Sequence, residues 1–492
     1  MTNELAISLA LLGVLFFWAL ANWHAGLLLC LATAIMQDPL RKLTPDQPIV
    51  FVGFVVAVFG AACLGALVRG VSLYPNHIFR QHRWLATPFL FLFLLIIAQA
   101  MNSYLRFDNL MLTALGVLTY VMPLFSTMFA YQLACRQGEL RIRQFMKWYV
   151  ILIGLALTTV YLEFSGYHWS VFGQVGTGLV IYDRATGSIL PSFSGLFRAS
   201  EIAAWHAMTA ACVVVLLIFW RKASLPRLLI ALGFAAVLIG IGILTGRRKV
   251  VIEFVVFLST LSMLWVIFGG HLGRVGTIGS VAGAAVTYAL FYALFAAGLQ
   301  EGVSAVHDKP ETSIYAHYVQ HSEKAFGQVP ARFVELGIAP VMWAYDSYGL
   351  AGAGLGAGTQ GAQYFGSGGA TGGAAEGGLG KITLELGIPG LFVMAWITIS
   401  ICRYLWGVMR FASQYSPSLA RLSFGLCSLL AANIAGFSVA TQLYGDLFVL
   451  LTLSWTLGFL LAVPVMVERQ VRARQQLATV QRGPAIFQPR TV

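Results

Sequence analysis

The sequence predicts an all-α polytopic membrane protein of about 12 transmembrane helices with one large extracytoplasmic loop, and three observations carry that expectation. Of the 492 residues, 58% are hydrophobic and only 10% charged, where a soluble domain carries about 25% charged residues. Mean hydropathy is +0.78. Apolar runs of the ~20 residues needed to cross a hydrocarbon core recur from end to end. Backbone polar groups find no water in that core, so helices are required, and the alternating pattern of an outer-membrane barrel is absent.

Spans are expected near 6–36, 49–70, 87–103, 109–134, 147–164, 200–220, 228–246, 250–270, 277–297, 383–407, 422–442 and 447–467. The first is too long for one straight crossing. A break near Asn22 would add a helix and move the amino terminus to the other side, but the reading kept here is a single span. The start, MTNEL, has no basic n-region and no small-residue cleavage site after it, so this stretch reads as retained rather than as a signal peptide.

Basic residues orient the chain. Arg80 and Arg83, then Arg136, Arg141, Arg143 and Lys147, then Arg221, Lys222 and Arg227, then Arg410 and Arg421, with Arg469, Arg472 and Arg474 near the end, all fall on one side, which the positive-inside rule makes cytoplasmic. The same bias accounts for the net charge of +12; the basic residues are scattered, not gathered into a stripe for nucleic acid. The organisation that follows is 1–297 as transmembrane helices with a smaller outer loop near 165–199, 298–382 as the large extracytoplasmic loop, 383–468 as C-terminal transmembrane helices, and 469–492 as a basic cytoplasmic tail. Arg41 and Lys42 land on the outer side and count against this arrangement. Cys30, Cys63, Cys135, Cys212, Cys402 and Cys427 form no CxxC pair, so neither a disulfide framework nor a thiolate metal site is expected.

The chemistry is sought at the outer side. GRRKVVIEF puts Arg247 and Arg248 there, against the charge rule. Snorkelling with Glu253 as partner is one reading; but charge at the membrane centre costs about 2.5–3.5 kcal/mol on insertion scales, so a retained pair calls for a binding role. SGLFRASEIAAWHA adds Arg198, which either pairs with Glu201 at i+3 or binds a ligand. His206 reads as a packed core histidine. Arg184 and Arg332, in the two outer loops, are further guanidinium candidates. Guanidinium forks pair bidentately with phosphate, so arginines at the outer leaflet suit a lipid pyrophosphate. With that leaving group stabilised, an acceptor hydroxyl must lose a proton, and Glu376, in AAEGGLGKITLELGIPG, lies on the correct side to take it. Trp343, Tyr345 and Tyr348 offer stacking surfaces for a glycan.

The tract LAGAGLGAGTQGAQYFGSGGATGGAAEGG contains a GxGxxG match at Gly356, Gly358 and Gly361, but no βαβ unit surrounds it, and GGLGKIT fails as a Walker loop because Ala375 and Ile382 stand at required positions. A flexible, close-packing loop is the expectation for most of these glycines. His307, His317 and His321 lack metal-ligand spacing. No metal and no cofactor are expected.

Taken in order, these segments resemble the bacterial O-antigen polymerase and O-antigen ligase superfamily of polytopic glycosyltransferases. SGLFRASEIAAW looks like the family's Gly-Thr-Phe segment, ILTGRRKVVI is similar to its Leu-Thr-Gly-Ser-Arg segment, and YGLAGAGLGAG followed by LELGIPGLF resembles its Gly-rich turn and closing ElGxxG motif. The resemblance implies about twelve helices, an undecaprenyl-pyrophosphate-linked glycan donor, and metal-free transfer at the periplasmic face of the bacterial inner membrane; the orientation read from the basic loops puts both termini in the cytoplasm. It puts Arg248 on the segment's arginine, with Arg247 replacing the serine, and leaves Arg198 and Arg184 competing for the family's other arginine. Ligases of the family carry a His, then Asn, Ser or Gln, then about nine residues, then GxxG. Counting back from Gly387 and Gly390 puts Glu376 and Gly377 there, a carboxylate in place of the histidine.

The resulting expectation is polymerisation of lipid-linked repeat units into exopolysaccharide, capsule or O-antigen. Arg247, Arg248 and Arg198 would hold pyrophosphate, Glu376 would act as general base, and the anomeric centre would invert. Partners would be the lipid-linked donor and acceptor, the bilayer and other polysaccharide assembly proteins. The alternatives are a ligase that passes finished glycan to a lipid or protein and, from another class, a lipid-linked oligosaccharide flippase, which would place its cations along a cavity with repeat symmetry.

Overall fold

Helices dominate because nothing else satisfies the backbone of these apolar runs. The computed structural model describes residues 3–74, 78–79, 82–175, 181–182, 189–190, 192–220, 224–247, 249–270, 334–359, 377–439 and 443–481. The helices are α1 Asn3–Ala21, α2 Gly26–Leu43, α3 Val52–Val68, α4 Arg83–Phe107, α5 Leu110–Gln137, α6 Glu139–Phe164, α7 Ser200–Trp220, α8 Leu225–Leu244, α9 Lys249–Phe268, α10 Ala339–Tyr348, α11 Gly378–Tyr415, α12 Pro417–Val439, α13 Leu447–Leu461 and α14 Val463–Gln481. A single two-residue ladder, β1 Ile181–Tyr182 against β2 Ile189–Leu190, is the extended structure among the described residues.

By length and composition, nine segments among the described residues are able to cross a membrane, or ten if the bent pair α1–α2 is taken as one span. The expected span 277–297 lies outside the described residues. The expected span 6–36 is broken: α1 and α2 meet at an angle of 114° around Asn22. Two arginines explain why the break is tolerated. Arg69 donates to the carbonyls of Leu20 (3.0 Å) and Ala21 (2.6 Å), and Arg141 donates to that of His24 (2.6 Å). Carbonyls freed where one helix stops are thus satisfied by charged donors. The break lies at the end of the bundle that carries Arg136 and Arg141, so α2 alone reaches from there to the opposite end.

The core is built by α2, α3, α5, α6, α7, α12 and α13, with Trp23, Trp205, Trp220 and Trp455 among its fully buried side chains. Small residues set the closest approaches. A Cβ at Gly458 of α13 would come within 2.7 Å of the Ala130 Cβ on α5, so the two helices pack almost backbone to backbone. Because α5 and α6 are joined through Gly138 alone, the start of α5 and the finish of α6 share one end of the bundle. That end holds the polar chemistry described next.

Candidate functional site

Side chains from α2 and α6 hold the segment before α7 atom by atom. Lys42 Nζ donates to the carbonyls of Gly195 (2.8 Å) and Phe197 (2.7 Å). The Glu163 carboxylate accepts from the amides of Ser194 (2.9 Å) and Gly195 (2.6 Å), Thr159 Oγ1 from Leu196 (3.0 Å), and Asp38 Oδ2 from Arg198 (2.9 Å). Gly195 is at φ +54, and a Cβ there would meet the Val160 amide at 2.7 Å, so glycine is required. Lys42, which counted against the orientation, is therefore a buried structural cation whose partners are backbone carbonyls more than a hundred residues away. Arg41 is likewise satisfied, its Nε donating to the Gln47 carbonyl at 2.8 Å.

Two of the predicted arginines, Arg198 and Arg247, lie at this end of α7. Arg198 pairs through Nη2 with Asp446 at 3.2 Å, with side chains 16% and 9% exposed. Arg247 pairs with Glu201 at 2.7 Å and donates through Nε to Ser200 Oγ at 3.2 Å. The Arg198–Glu201 pair, one of the two readings of that spacing, does not form because α7 begins at Ser200. Arg198 precedes the helix, so the i, i+3 spacing that would have joined them does not apply. Asp446 is held in turn as the N-cap of α13, its Oδ1 accepting from Phe448 (2.9 Å) and Val449 (3.3 Å). Among the described residues, Arg198 Nε is buried without a hydrogen-bond partner.

His206 is the packed core histidine expected. Tyr149 Oη and His206 Nδ1 are 2.9 Å apart, and the imidazole lies between the rings of Phe197 (5.5 Å) and Phe448 (4.1 Å). Those two rings belong to the segments carrying Arg198 and Asp446, so the stack registers the ion pair. Deeper in the bundle, Trp205 Nε1 donates to Asn433 Oδ1 (2.6 Å) and Tyr444 Oη to the Asn433 carbonyl (2.8 Å). Gly436 leaves room beside them for the buried Glu253 carboxylate.

A second polar region surrounds α11, and it resolves the glycine tract. Pro389 has no N–H to offer Glu385, and Gly387, at φ +70, breaks the helix. The freed groups are exchanged with the loop 349–359: Ile388 donates to the Leu350 carbonyl (3.0 Å), and Ala353 donates to that of Leu384 (2.7 Å). α4 clasps the loop from the other side. Gln99 Nε2 donates to Ala351 (2.8 Å) and Ser103 Oγ to Leu355 (2.6 Å). Gly352 and Gly354 have φ of +73 and +105, and a Cβ on either would strike backbone at 2.6–2.7 Å. This part of the tract is close-packed and held by hydrogen bonds, not flexible.

Within that packing sits a carboxylate that sequence reasoning passed over. Glu385 is 0% exposed. Its Oε2 accepts from Tyr120 Oη at 2.7 Å, and its Oε1 accepts from the Gly358 amide at 3.1 Å. The available signal was a lone acid in an apolar helix, which is a functional candidate by default. One turn earlier, Lys381 is also buried.

Of the remaining predicted residues, Trp343, Tyr345 and Tyr348 lie on α10, which packs against α11. Trp343 and Tyr348 meet edge to face at 6.0 Å, with the Arg106 guanidinium 5.4 Å from the Tyr348 ring centroid. Tyr345 alone of the three is exposed, at 46%. Glu376, Arg248, Arg184 and Arg332 lie outside the described residues.

Apolar helices of these lengths define a multi-pass membrane protein. No family model matches the sequence, and no curated protein matches it.

Proposed function

We propose that this protein polymerises lipid-linked oligosaccharide repeat units at the outer face of a bacterial inner membrane, the donor being a polyprenyl-pyrophosphate glycan. In this reading the end bearing Arg136, Arg141 and Arg469 is cytoplasmic, the protein has about twelve helices, and the large loop lies outside. The observation that carries the proposal is the placing of two arginines at one end of α7, Arg198 just before it and paired with Asp446, and Arg247 paired with Glu201 and Ser200 of its first turn. A guanidinium has five N–H donors, and Arg198 gives Nη2 to Asp446 while its Nε has no hydrogen-bond partner among the described residues, so the carboxylate orients the fork without filling its donors. Arg248, Arg184 and Arg332 are candidates for the same ligand.

The acceptor hydroxyl attacks the anomeric carbon of the donor sugar and passes its proton to Glu376. The bond from that carbon to the pyrophosphate oxygen breaks, and polyprenyl pyrophosphate leaves with the electron pair. A single displacement inverts the anomeric centre. General-base assistance is worth about 10² to 10⁴ in rate. Tyr345 and its neighbours on α10 would stack on the glycan. A ligase passing glycan to a lipid or protein would share these groups.

The test incubates purified protein with defined lipid-linked repeat units and sizes the products. Polymer from the native protein, with a loss of about 10² or more in rate for Glu376→Gln, is expected. Full-length polymer from a well-folded Glu376→Gln protein would remove the base from the mechanism. Transport of intact units without chain growth would favour a flippase.

A further inference from the structure

Charge is divided unevenly between the two ends of the bundle. Most acids of the described residues lie toward the end that carries Arg198 and Asp446, and the opposite end is left basic. There Arg136, Arg143, Arg410, Arg421, Arg472 and Arg474 gather where α5 turns into α6, where α11 turns into α12 and where α14 finishes. Among the described residues, the acids set against them at those three places are Glu139 and Glu468. Neither neutralises the group. The Glu139 carboxylate accepts from neutral donors, Gln470 Nε2 (3.3 Å) and Ser418 Oγ (3.5 Å). Glu468 meets Arg472 at 3.5 Å in a pair whose side chains are 40% and 75% exposed, where water screens most of the attraction.

Helix length sets the depth of these charges. The run Leu447–Leu477 is one candidate span of 31 residues, roughly 46 Å long against a hydrocarbon core of about 30 Å. It begins just after Asp446, which is held at the Arg198 end, so the excess length emerges at the α14 end. The chain leaves the hydrocarbon about 20 residues after Leu447, and Arg472 and Arg474 follow within about 10 Å, close to one Debye length from the headgroups. This part of α14 is fixed to its neighbours. Ser416 Oγ donates to Gln470 Oε1 (2.8 Å), Arg469 donates to the Cys135 carbonyl, and Arg474 donates to the Tyr415 carbonyl (3.4 Å). Apolar side chains stand among the arginines: Leu140, Tyr415 and Leu477 are all exposed, with Leu477 one turn from Arg474. A soluble polyanion would match the cations alone. A phospholipid brings phosphate to the guanidinium groups and acyl chains to the apolar side chains.

We propose that the basic collar of Arg136, Arg472 and Arg474 binds anionic phospholipid headgroups of the leaflet at this end of the protein. It uses no residue assigned to the donor, the acceptor or the base, so it stands apart from the proposed reaction.

The full chain is reconstituted in nanodiscs of phosphatidylcholine with rising fractions of phosphatidylglycerol, and the lipids it retains on extraction are counted by native mass spectrometry. The native protein should retain phosphatidylglycerol over phosphatidylcholine by about tenfold or more, less so as salt is raised. The double variant Arg472→Gln/Arg474→Gln should lose most of that preference, and Arg472→Lys/Arg474→Lys should keep it to within about threefold. Arg136→Gln, which leaves α14 untouched, should weaken it by about threefold to fivefold. Equal retention of the two lipids by the native protein would overturn the proposal, as would a native preference in the folded glutamine variants. Polyglutamate and a single-stranded oligonucleotide are added to phosphatidylcholine nanodiscs as competitors. Binding of either that is lost in the same variants, without a phosphatidylglycerol preference, would give the surface to a soluble polyanion and overturn the lipid assignment.

Discussion

The segment before α7 and the loop before α11 occupy the same end of the bundle and are held in opposite ways. At the first, charged side chains do the fixing. Lys42, Glu163 and Asp38 bond to backbone groups of 194–198, and Arg198 and Arg247 each have a carboxylate. At the second, backbone exchange and glycine packing do the fixing. The difference teaches how a segment can be fixed: buried charges hold it from distant helices by filling its backbone groups, whereas glycines let the chain itself approach closely enough to exchange backbone bonds.

The contrast breaks most readily at the glycines. Gly354→Val puts a Cβ 2.7 Å from Ser103 at a φ of +105, combining backbone strain with overpacking, and should cost about 3 kcal/mol or more. Loss of folded protein on gel filtration in detergent checks it; a variant with native stability would mean the loop is not clamped. Next comes Glu385→Ala, which strands Tyr120 Oη and the Gly358 amide at about 1–3 kcal/mol each. Glu385→Gln keeps one acceptor and should lose roughly half as much, so equal unfolding midpoints for the two variants would contradict the assigned bonds. The smallest effects give the finest comparison. Arg198→Met removes the partner of Asp446 in a partly hydrated pair and should destabilise by about 1–2 kcal/mol. Lys381→Met should leave stability unchanged or raise it by a few tenths of a kcal/mol. Equal losses of the unfolding midpoint from these two methionine variants would show that the Lys381 charge is as firmly matched as that of Arg198.

Most of the helical framework was legible in the sequence, because hydropathy and span length are local properties. The break at Asn22 was visible only as excess length, since the arginines that stabilise it come from α3 and α6. Lys42 looked like an error in orientation for a similar reason: its partners, Gly195 and Phe197, are distant in the chain, and no pattern around DPLRK announces them. Arg198 and Glu201 have helical spacing but not a shared helix, which the sequence alone did not reveal. Glu385 was read only as part of a motif. Its role depends on a glycine loop and a tyrosine that come together when Gly387 and Pro389 break α11.

The clasp between α4 and the glycine loop also imposes a timetable on biogenesis. Ser103 and Leu355 are 252 residues apart, so α4 and α5 must enter the membrane and wait while most of the chain is synthesised. Until the loop arrives, Gln99 lacks its acceptor at Ala351, and Ser103 is left with Thr113 alone. Closing so distant a contact is a late event on entropic grounds. Those waiting polar groups mark the unfinished molecule, and a quality-control protease able to sense them would distinguish an arrested chain from a completed one.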